Sequence, residues 1–341
     1  MRVLDGLVRS HIVGGTFPGA EILLARRGEI LHHQAYGTFD GRENSLLSLR
    51  RVWDLASVTK PIVTANLAVK LHREGEIDLF APVADYLPST YLINHFGVSL
   101  LDLALHRAGL APTSDTVRNA KTVDDAQQAL MGIAPRRDKI GQTQYSCVGY
   151  ILLGAILSHV TGKPLDQLFG EKVSRPLGLK QTLFNPLQNG VVPRDIVPTS
   201  PNDSEKGYLR GVVNDTTARA MNRVSGNAGL FSTADELYKI AALMLAERDP
   251  LLFGTDERVT GNSRTVGFER ILAAPDKQSL LLDGAIGHTG HTGTALYVCP
   301  QSQTILVALT NRSYVSPREN LHQMHAFRQA LCELDVLEAA A

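Results

Sequence analysis

The hydrophobic pattern changes period several times along the chain, and each change marks an element. Residues 2–12 carry apolar side chains at helical spacing and predict a short amphipathic helix. Gly14-Gly15 and Pro18-Gly19 then punctuate the entry to two strand-like runs at residues 21–25 and 30–36, and Arg26-Arg27-Gly28-Glu29 between them has the composition of a hairpin turn. A third short run, residues 52–55, leads into a helix whose apolar positions include Ile62, Ala65, Leu67, Val69 and Leu71. Lys70, His72 and Arg73 in its last turn, with Gly75 beyond, form a helix stop.

From residue 76 to about 235 strand alternation fades into short helical patterns separated by loops rich in Pro, Asn and Thr. The clearest element there is residues 145–160, apolar nearly all round and closed by Gly162 and Pro164, which predicts a buried helix that begins at Tyr145. Residues 226–235 pass through a glycine turn into a helix capped by Ser232 or Thr233 and reaching about Ala246. Strand-like runs return at residues 265–268, 285–290, 294–298 and 304–309, and a last helix spans about 317–334. Strands at both ends with helices between predict an α+β fold with a mainly antiparallel sheet flanked by helices. The sheet domain is expected from residues 1–75 and 236–341, with residues 76–235 inserted as a helical, loop-rich domain and a site in the cleft between them.

The chemistry concentrates where the third run becomes a helix. In Trp53-Asp54-Leu55-Ala56-Ser57-Val58-Thr59-Lys60-Pro61, the serine and lysine lie three residues apart. They share a helix face if the helix starts at or just before Ser57, and Lys60 then reaches back to the Ser57 hydroxyl. A lysine amine accepts the serine proton only when neutral, so a nucleophile–base pair here requires burial or a neighbouring cation to lower the Lys60 pKa. The helix N-terminus would add an outward-pointing Ser57 N–H beside the positive end of the dipole, where an oxyanion is received. Pro61 in the first turn would delete only a marginal helix bond. The pair alone does not establish this. Ser-x-x-Lys arises by chance about once in a chain of this size, and a serine capping a helix that carries a solvated lysine gives the same residues.

Composition narrows the choices. The 341 residues are 44% hydrophobic and 20% charged, an ordinary globular balance with mass for one large or two interleaved domains. Lys+Arg 34 match Asp+Glu 34, so no net field draws the chain to nucleic acid or to an anionic membrane, and a small neutral substrate is expected. Cys147, Cys299 and Cys332 are odd in number, far apart and without metal spacing, which fits reduced thiols. With no apolar h-region in residues 1–20 and no run of membrane-spanning length, a cytoplasmic location is expected.

Three stretches combine: Ser57-Val58-Thr59-Lys60, Tyr145-Ser146-Cys147, and Gly287-His288-Thr289-Gly290-His291-Thr292-Gly293-Thr294. In this order and spacing the chain resembles the serine β-lactamase and penicillin-binding protein superfamily, and within it the class C-like branch of β-lactamase-related esterases. The resemblance runs over nearly the whole chain. It includes Phe17-Pro18-Gly19-Ala20, Tyr150-Ile151-Leu152-Leu153-Gly154, Ala228-Gly229-Leu230-Phe231-Ser232-Thr233 and Leu309-Thr310-Asn311-Arg312. It implies a β-lactamase-like fold in which Ser57 is the acylated nucleophile, Lys60 stands beside it, and Tyr145 shares the base role and later protonates the leaving group. His288-Thr289-Gly290 matches the Lys-Thr-Gly motif, with histidine in place of lysine. His291 would give its backbone N–H, together with that of Ser57, to an oxyanion hole. Cys147 stands where the family has asparagine, and Asn214 and Asn227 where close relatives usually show histidine, substitutions expected to alter specificity.

The expected activity is therefore a serine hydrolase that cleaves esters or small acyl compounds through an acyl-enzyme. An acyltransferase of the same fold, a β-lactamase or D-Ala peptidase, and a non-catalytic binding or scaffold protein are the alternatives. No cofactor is expected. His288 and His291 have no third candidate at ligand spacing, so no metal is expected either. Cys147 could be a second nucleophile, although buried cysteines are mostly inert. His106 is expected to be structural, and the oligomeric state is left open.

Overall fold

The computed structural model describes residues 2–42, 45–202, 207–271, 281, 284–315 and 319–334. Among these, the helices of eight residues or more are α1 (Arg2–Val13), α2 (Asn66–Arg73), α3 (Val123–Met131), α4 (Cys147–Thr161), α5 (Ala234–Glu247) and α6 (Leu321–Cys332). The strands are β1 (Gly19–Arg26), β2 (Glu29–Gly37), β3 (Trp53–Asp54), β4 (Leu183–Phe184), β5 (Leu230–Ser232), β6 (Glu269–Arg270), β7 (Ile286–Thr289), β8 (Ala295–Cys299) and β9 (Thr304–Thr310).

Six strands form one antiparallel sheet in the order β2-β1-β9-β8-β7-β6. The chain ends meet at its centre, where β1 pairs with β9 from Ala20 opposite Thr310 to Arg26 opposite Thr304. Alternation along the strands explains the layering. Ile22 and Leu24 of β1 and Leu306 and Ala308 of β9 face a core shared with Leu4 and Val8 of α1 and Phe327 and Leu331 of α6. Leu23 and Ala25, with Ile305, Val307 and Leu309, face the opposite core, which holds Leu237, Ile240 and Met244 of α5 together with Val58 and Ile62. Each fully buried Leu or Ile contributes roughly 1.5–3 kcal/mol, and a one-residue slip of register would exchange the two faces.

Three expectations are corrected. Residues 265–268 are no strand: Arg264 bridges Glu269, the Thr265 N–H bonds the Phe268 carbonyl at 3.0 Å, and the strand is β6 just beyond this tight turn. Gly267 at its apex has φ +91° and packs on Pro61 and Ala65, a conformation and closeness that a side chain resists. The third run supplies β3, which joins a separate three-stranded sheet, β3-β5-β4, rather than the large one. The buried helix starts at Cys147 and not at Tyr145, because the Ser146 hydroxyl caps it by accepting the Gly149 N–H. The last helix begins at Leu321 among the described residues, and the expected start near residue 317 lies outside them.

Candidate active site

Ser57 lies in a single 3₁₀ turn, Ala56–Val58, directly after β3 and Leu55. Ala56 has φ +47°, a left-handed conformation that costs an L-residue about 1–2 kcal/mol. Asp54 holds this turn: Oδ1 accepts the Ala56 N–H at 2.9 Å and Oδ2 accepts the Asn214 N–H at 2.7 Å. The next turn, Lys60–Ala65, is π-helical rather than the regular α-helix expected, with the Asn66 N–H reaching the Pro61 carbonyl. Wide turns of this kind recur at functional sites. Hydrogen bonds fasten it and the preceding Thr59 to β5 and the segment before it. Thr64 Oγ1 donates to the Gly226 carbonyl at 2.7 Å, and Thr59 Oγ1 accepts the Leu230 N–H at 3.1 Å.

Lys60 is fully buried on this turn. Its Nζ lies 3.0 Å from Ser57 Oγ, 3.0 Å from the Asn227 carbonyl and 3.5 Å from Cys147 Sγ. The Tyr145 ring centroid is 5.0 Å from the same nitrogen. Tyr145 precedes the cap of α4, and His106 anchors that point: its Nδ1 accepts the Ser146 N–H at 3.0 Å while its ring packs 4.6 Å from that of Tyr145. The structural part expected of His106 thus has a definite form.

The third wall is the end of β7. His288 is buried with its ring 6.0 Å from Tyr145. Its Nδ1 lies 2.9 Å from the Thr289 carbonyl, so Nδ1 carries the proton and Nε2, buried and without a hydrogen-bond partner among the described residues, offers a lone pair. Thr289, half-buried, ends the strand. A Cβ on Gly290 would lie 2.1 Å from Thr294 Oγ1 and 2.5 Å from the Leu55 carbonyl, so only glycine lets this edge approach the Ser57 turn. Thr292 Oγ1 donates to the Asp54 carbonyl at 2.8 Å and Thr294 Oγ1 to the Leu55 carbonyl at 2.9 Å, which locks His291 and its neighbours onto that turn. The structure therefore brings together Ser57, Lys60, Tyr145, Cys147, His288, Thr289, Gly290 and His291. Asn214 and Asn227 border the group, but their side chains are engaged elsewhere, Asn214 with Thr199 and Ser200 and Asn227 with Ser225 and Asp215.

The electrostatics correct one expectation. Burial pulls the Lys60 pKa down, yet Cys147, Tyr145 and Asp215 together raise it, and the net direction is upward. That is opposite to the lowering Lys60 would need to act as the base on its own, and it favours the charged lysine beside a phenol. Burial also raises the Tyr145 phenol, against the pull of Lys60 and its contact with Ser57. His288 and His106 are held well below the ordinary histidine value, by burial first and then by nearby cations, so both are neutral at pH 7. One of those cations was missed in the sequence. Arg264 stands with its guanidinium carbon 5.3 Å from the Tyr145 ring centroid and pairs with Glu269 at 3.5 Å. No motif marks it in the sequence, because the turn at Gly267 that places it depends on packing against Pro61 and Ala65.

Burial pushes Asp54 up to about 6, with Asp215 adding to the rise and the Asn214 and Ala56 N–H groups and Arg219 opposing it. The folded state then holds this proton more tightly than the unfolded chain, whose carboxyl titrates near ~3.9. The Asp54 contribution to stability must therefore increase as pH falls through about 6 towards 4. Relative to Asp54→Asn, the wild type should gain thermal stability between pH 7 and pH 5. A Tm difference that stays flat over that interval would contradict this.

Comparison with known proteins follows the same lines. The chain is 29% identical over 368 residues to an N-acetylmuramyl-L-alanine amidase of Bacillus subtilis (strain 168), covering 94% of this chain and 83% of that one. It is 29% identical over 368 residues to a putative D-alanyl-D-alanine carboxypeptidase of Escherichia coli O157:H7, covering 91% and 83%. Among solved structures, EstCE1, a hydrolase with promiscuous acyltransferase activity, superposes with a TM-score of 0.74 at 22% identity over 97% of both chains, a likeness of fold. The family described as Beta-lactamase matches residues 4–330, and the chain belongs to it.

Proposed function

We propose that this protein is a serine hydrolase that cleaves esters or small acyl compounds through an acyl-enzyme on Ser57. The observation that carries the reading is the Lys60 Nζ, buried and 3.0 Å from Ser57 Oγ, with Tyr145 against it. Lys60 and Tyr145 act as one unit. In the resting site the lysine is charged and the phenol neutral, and the form able to take the Ser57 proton is the one that has lost a proton from this pair. That form gains population as pH rises, so acylation should accelerate above neutrality. Ser57 Oγ attacks the acyl carbon, its proton passes to the pair, and the pair returns it to the leaving group. The backbone N–H groups of Ser57 and His291 receive the carbonyl oxygen as it becomes negative.

Substrate class follows from Cys147 and His288. Where amide-cleaving relatives use an asparagine to grip a substrate amide, Cys147 offers a thiol, a weak partner in hydrogen bonding. His288 offers a neutral acceptor where a fixed cation would hold a carboxylate. Losing a hydrogen bond to a charged or strongly polar group costs about 1.5–3 kcal/mol, or roughly ten- to a hundredfold in rate. Short-chain p-nitrophenyl esters need neither grip. They should turn over at least about tenfold better in kcat/KM than a chromogenic cephalosporin, and Cys147→Asn should narrow the gap. Cephalosporin hydrolysis as fast as ester hydrolysis would refute this choice of substrate.

One observation favours a second reading, a D-alanyl carboxypeptidase like the Escherichia coli relative. Arg264 brings a guanidinium over Tyr145, and a substrate carboxylate bound beside that ring would pair with it. Its pairing with Glu269 offsets that charge, which is why esters lead. Release of D-alanine from a D-Ala-D-Ala peptide, lost in Arg264→Met, would reverse the order.

A further inference from the structure

Gly290 and His291 share one peptide group, and the carbonyl side of that group is held from the far side of the sheet. Arg328 lies on α6, whose Met324, Phe327 and Leu331 pack into the core opposite the one containing Val58 and Ile62 of the Ser57 segment. Its Nη2 donates to the Gly290 carbonyl at 2.7 Å and to the Thr294 carbonyl at 3.1 Å. These two residues are the ends of a closed turn: the Gly290 N–H bonds the Thr294 carbonyl at 2.8 Å and the Gly293 N–H bonds the Gly290 carbonyl at 3.1 Å. A single guanidinium nitrogen therefore clamps both ends of the turn that carries His291.

We propose that Arg328 is the positioning residue of the oxyanion hole: by holding the Gly290 carbonyl it fixes the Gly290–His291 peptide plane and aims the His291 N–H at the acyl oxygen on Ser57. The proposal rests on the acyl-enzyme reading above. The peptide is trans, so its C=O and N–H point in opposite directions. An oxygen tied back towards α6 leaves the hydrogen directed to the Ser57 side. Glycine at 290 makes the hold necessary, since a residue without Cβ has the most freedom to rotate that plane.

The bond is also charge-assisted, which shortens and strengthens it and polarises the peptide so that its N–H becomes a better donor. Among the described residues the Arg328 Nε is buried without a hydrogen-bond partner and no carboxylate stands within ion-pair distance of the guanidinium. Burial lowers its pKa, but a guanidinium remains charged in proteins. Among the described residues this buried cation is bonded to two carbonyls rather than to a carboxylate, which leaves its charge behind the place where negative charge develops.

The test uses the full chain, acylated with a slowly hydrolysed ester carrying a ¹³C-labelled carbonyl. In the wild type the acyl carbonyl stretch is read by isotope-edited infrared difference spectroscopy. Arg328→Met should move that band to higher wavenumber and lower kcat by about ten- to a hundredfold, with KM changed by less than about threefold. Arg328→Lys, which replaces the rigid fork by a single ammonium, should give intermediate values for both. It serves as the test if the methionine variant does not fold. A loss of kcat with the band unmoved would mean that Arg328 only supports the fold, and wild-type kcat and band position in a folded variant would also overturn the proposal. Absence of any acyl band in the wild type would instead refute the acyl-enzyme itself, a failure visible before any variant is made.

Discussion

Ser57→Ala should abolish covalent labelling by a fluorophosphonate probe and reduce ester turnover by about four orders of magnitude or more, while leaving the fold intact. Ser57 is half-buried, and its hydroxyl accepts a hydrogen bond from Lys60 Nζ at 3.0 Å. The neighbours that shape its turn are others: Asp54 bonds Ala56 and Asn214, and Thr292 and Thr294 bond the carbonyls of Asp54 and Leu55. Removing the hydroxyl therefore removes the attacking atom without loosening the turn. Lys60 keeps the Asn227 carbonyl as an acceptor, so its charge is not stranded. Intact-mass and peptide mass spectrometry check both halves of this expectation. Cys147 is the competitor to watch, because its sulfur lies 3.5 Å from the same ammonium and could take a probe that serine does not. A wild-type adduct on Cys147, or labelling that persists in the alanine variant, would remove Ser57 from its assigned role.

The large sheet was legible because its strands obey a local rule. Leu23 and Leu24 fall into opposite cores by alternation alone, and the runs at 21–25 and 304–309 sit where β1 and β9 pair. The residues of the site were legible as motifs, since Ser57 and Lys60 meet through a spacing of three residues. What stayed hidden depends on contacts between distant segments. Val266 and Phe268 look like strand residues, and only the packing of Gly267 on Pro61 and Ala65 turns the chain there. Tyr145 looked like the first residue of a helix because the competition between it and the Ser146 cap is decided by one hydroxyl. The direction of the Lys60 shift was hidden for the same reason. Burial was foreseeable from the apolar surroundings, but the opposing pull comes from residues 145, 147 and 215, which nothing near position 60 announces. Arg264 and Arg328 carry no motif at all, and each acts through a position that the fold alone creates.

Lys60→Arg should be nearly as damaging as Lys60→Ala, although it preserves the positive charge. Because Lys60 rests as an ammonium, a purely electrostatic role would let arginine serve almost as well. The two roles separate at the next step. To accept the Ser57 proton, the Lys60–Tyr145 pair must first lose one of its own, and an ammonium can do so whereas a guanidinium cannot in proteins. Geometry adds to the chemistry. The slot offers Ser57 Oγ and the Asn227 carbonyl each 3.0 Å from one tetrahedral nitrogen, with Cys147 at 3.5 Å and the Tyr145 ring at 5.0 Å, and a planar fork has no place among them. General-base catalysis is worth about 10²–10⁴ in rate, and both variants should lose that much of the acylation rate. The pH profile gives the sharper reading: the rise in wild-type acylation above neutrality should be absent from the arginine variant, leaving a flat residual rate. If Lys60→Arg kept a tenth or more of the wild-type rate, with the rise intact, Lys60 would be an electrostatic partner only, and Tyr145 would have to take the Ser57 proton unaided.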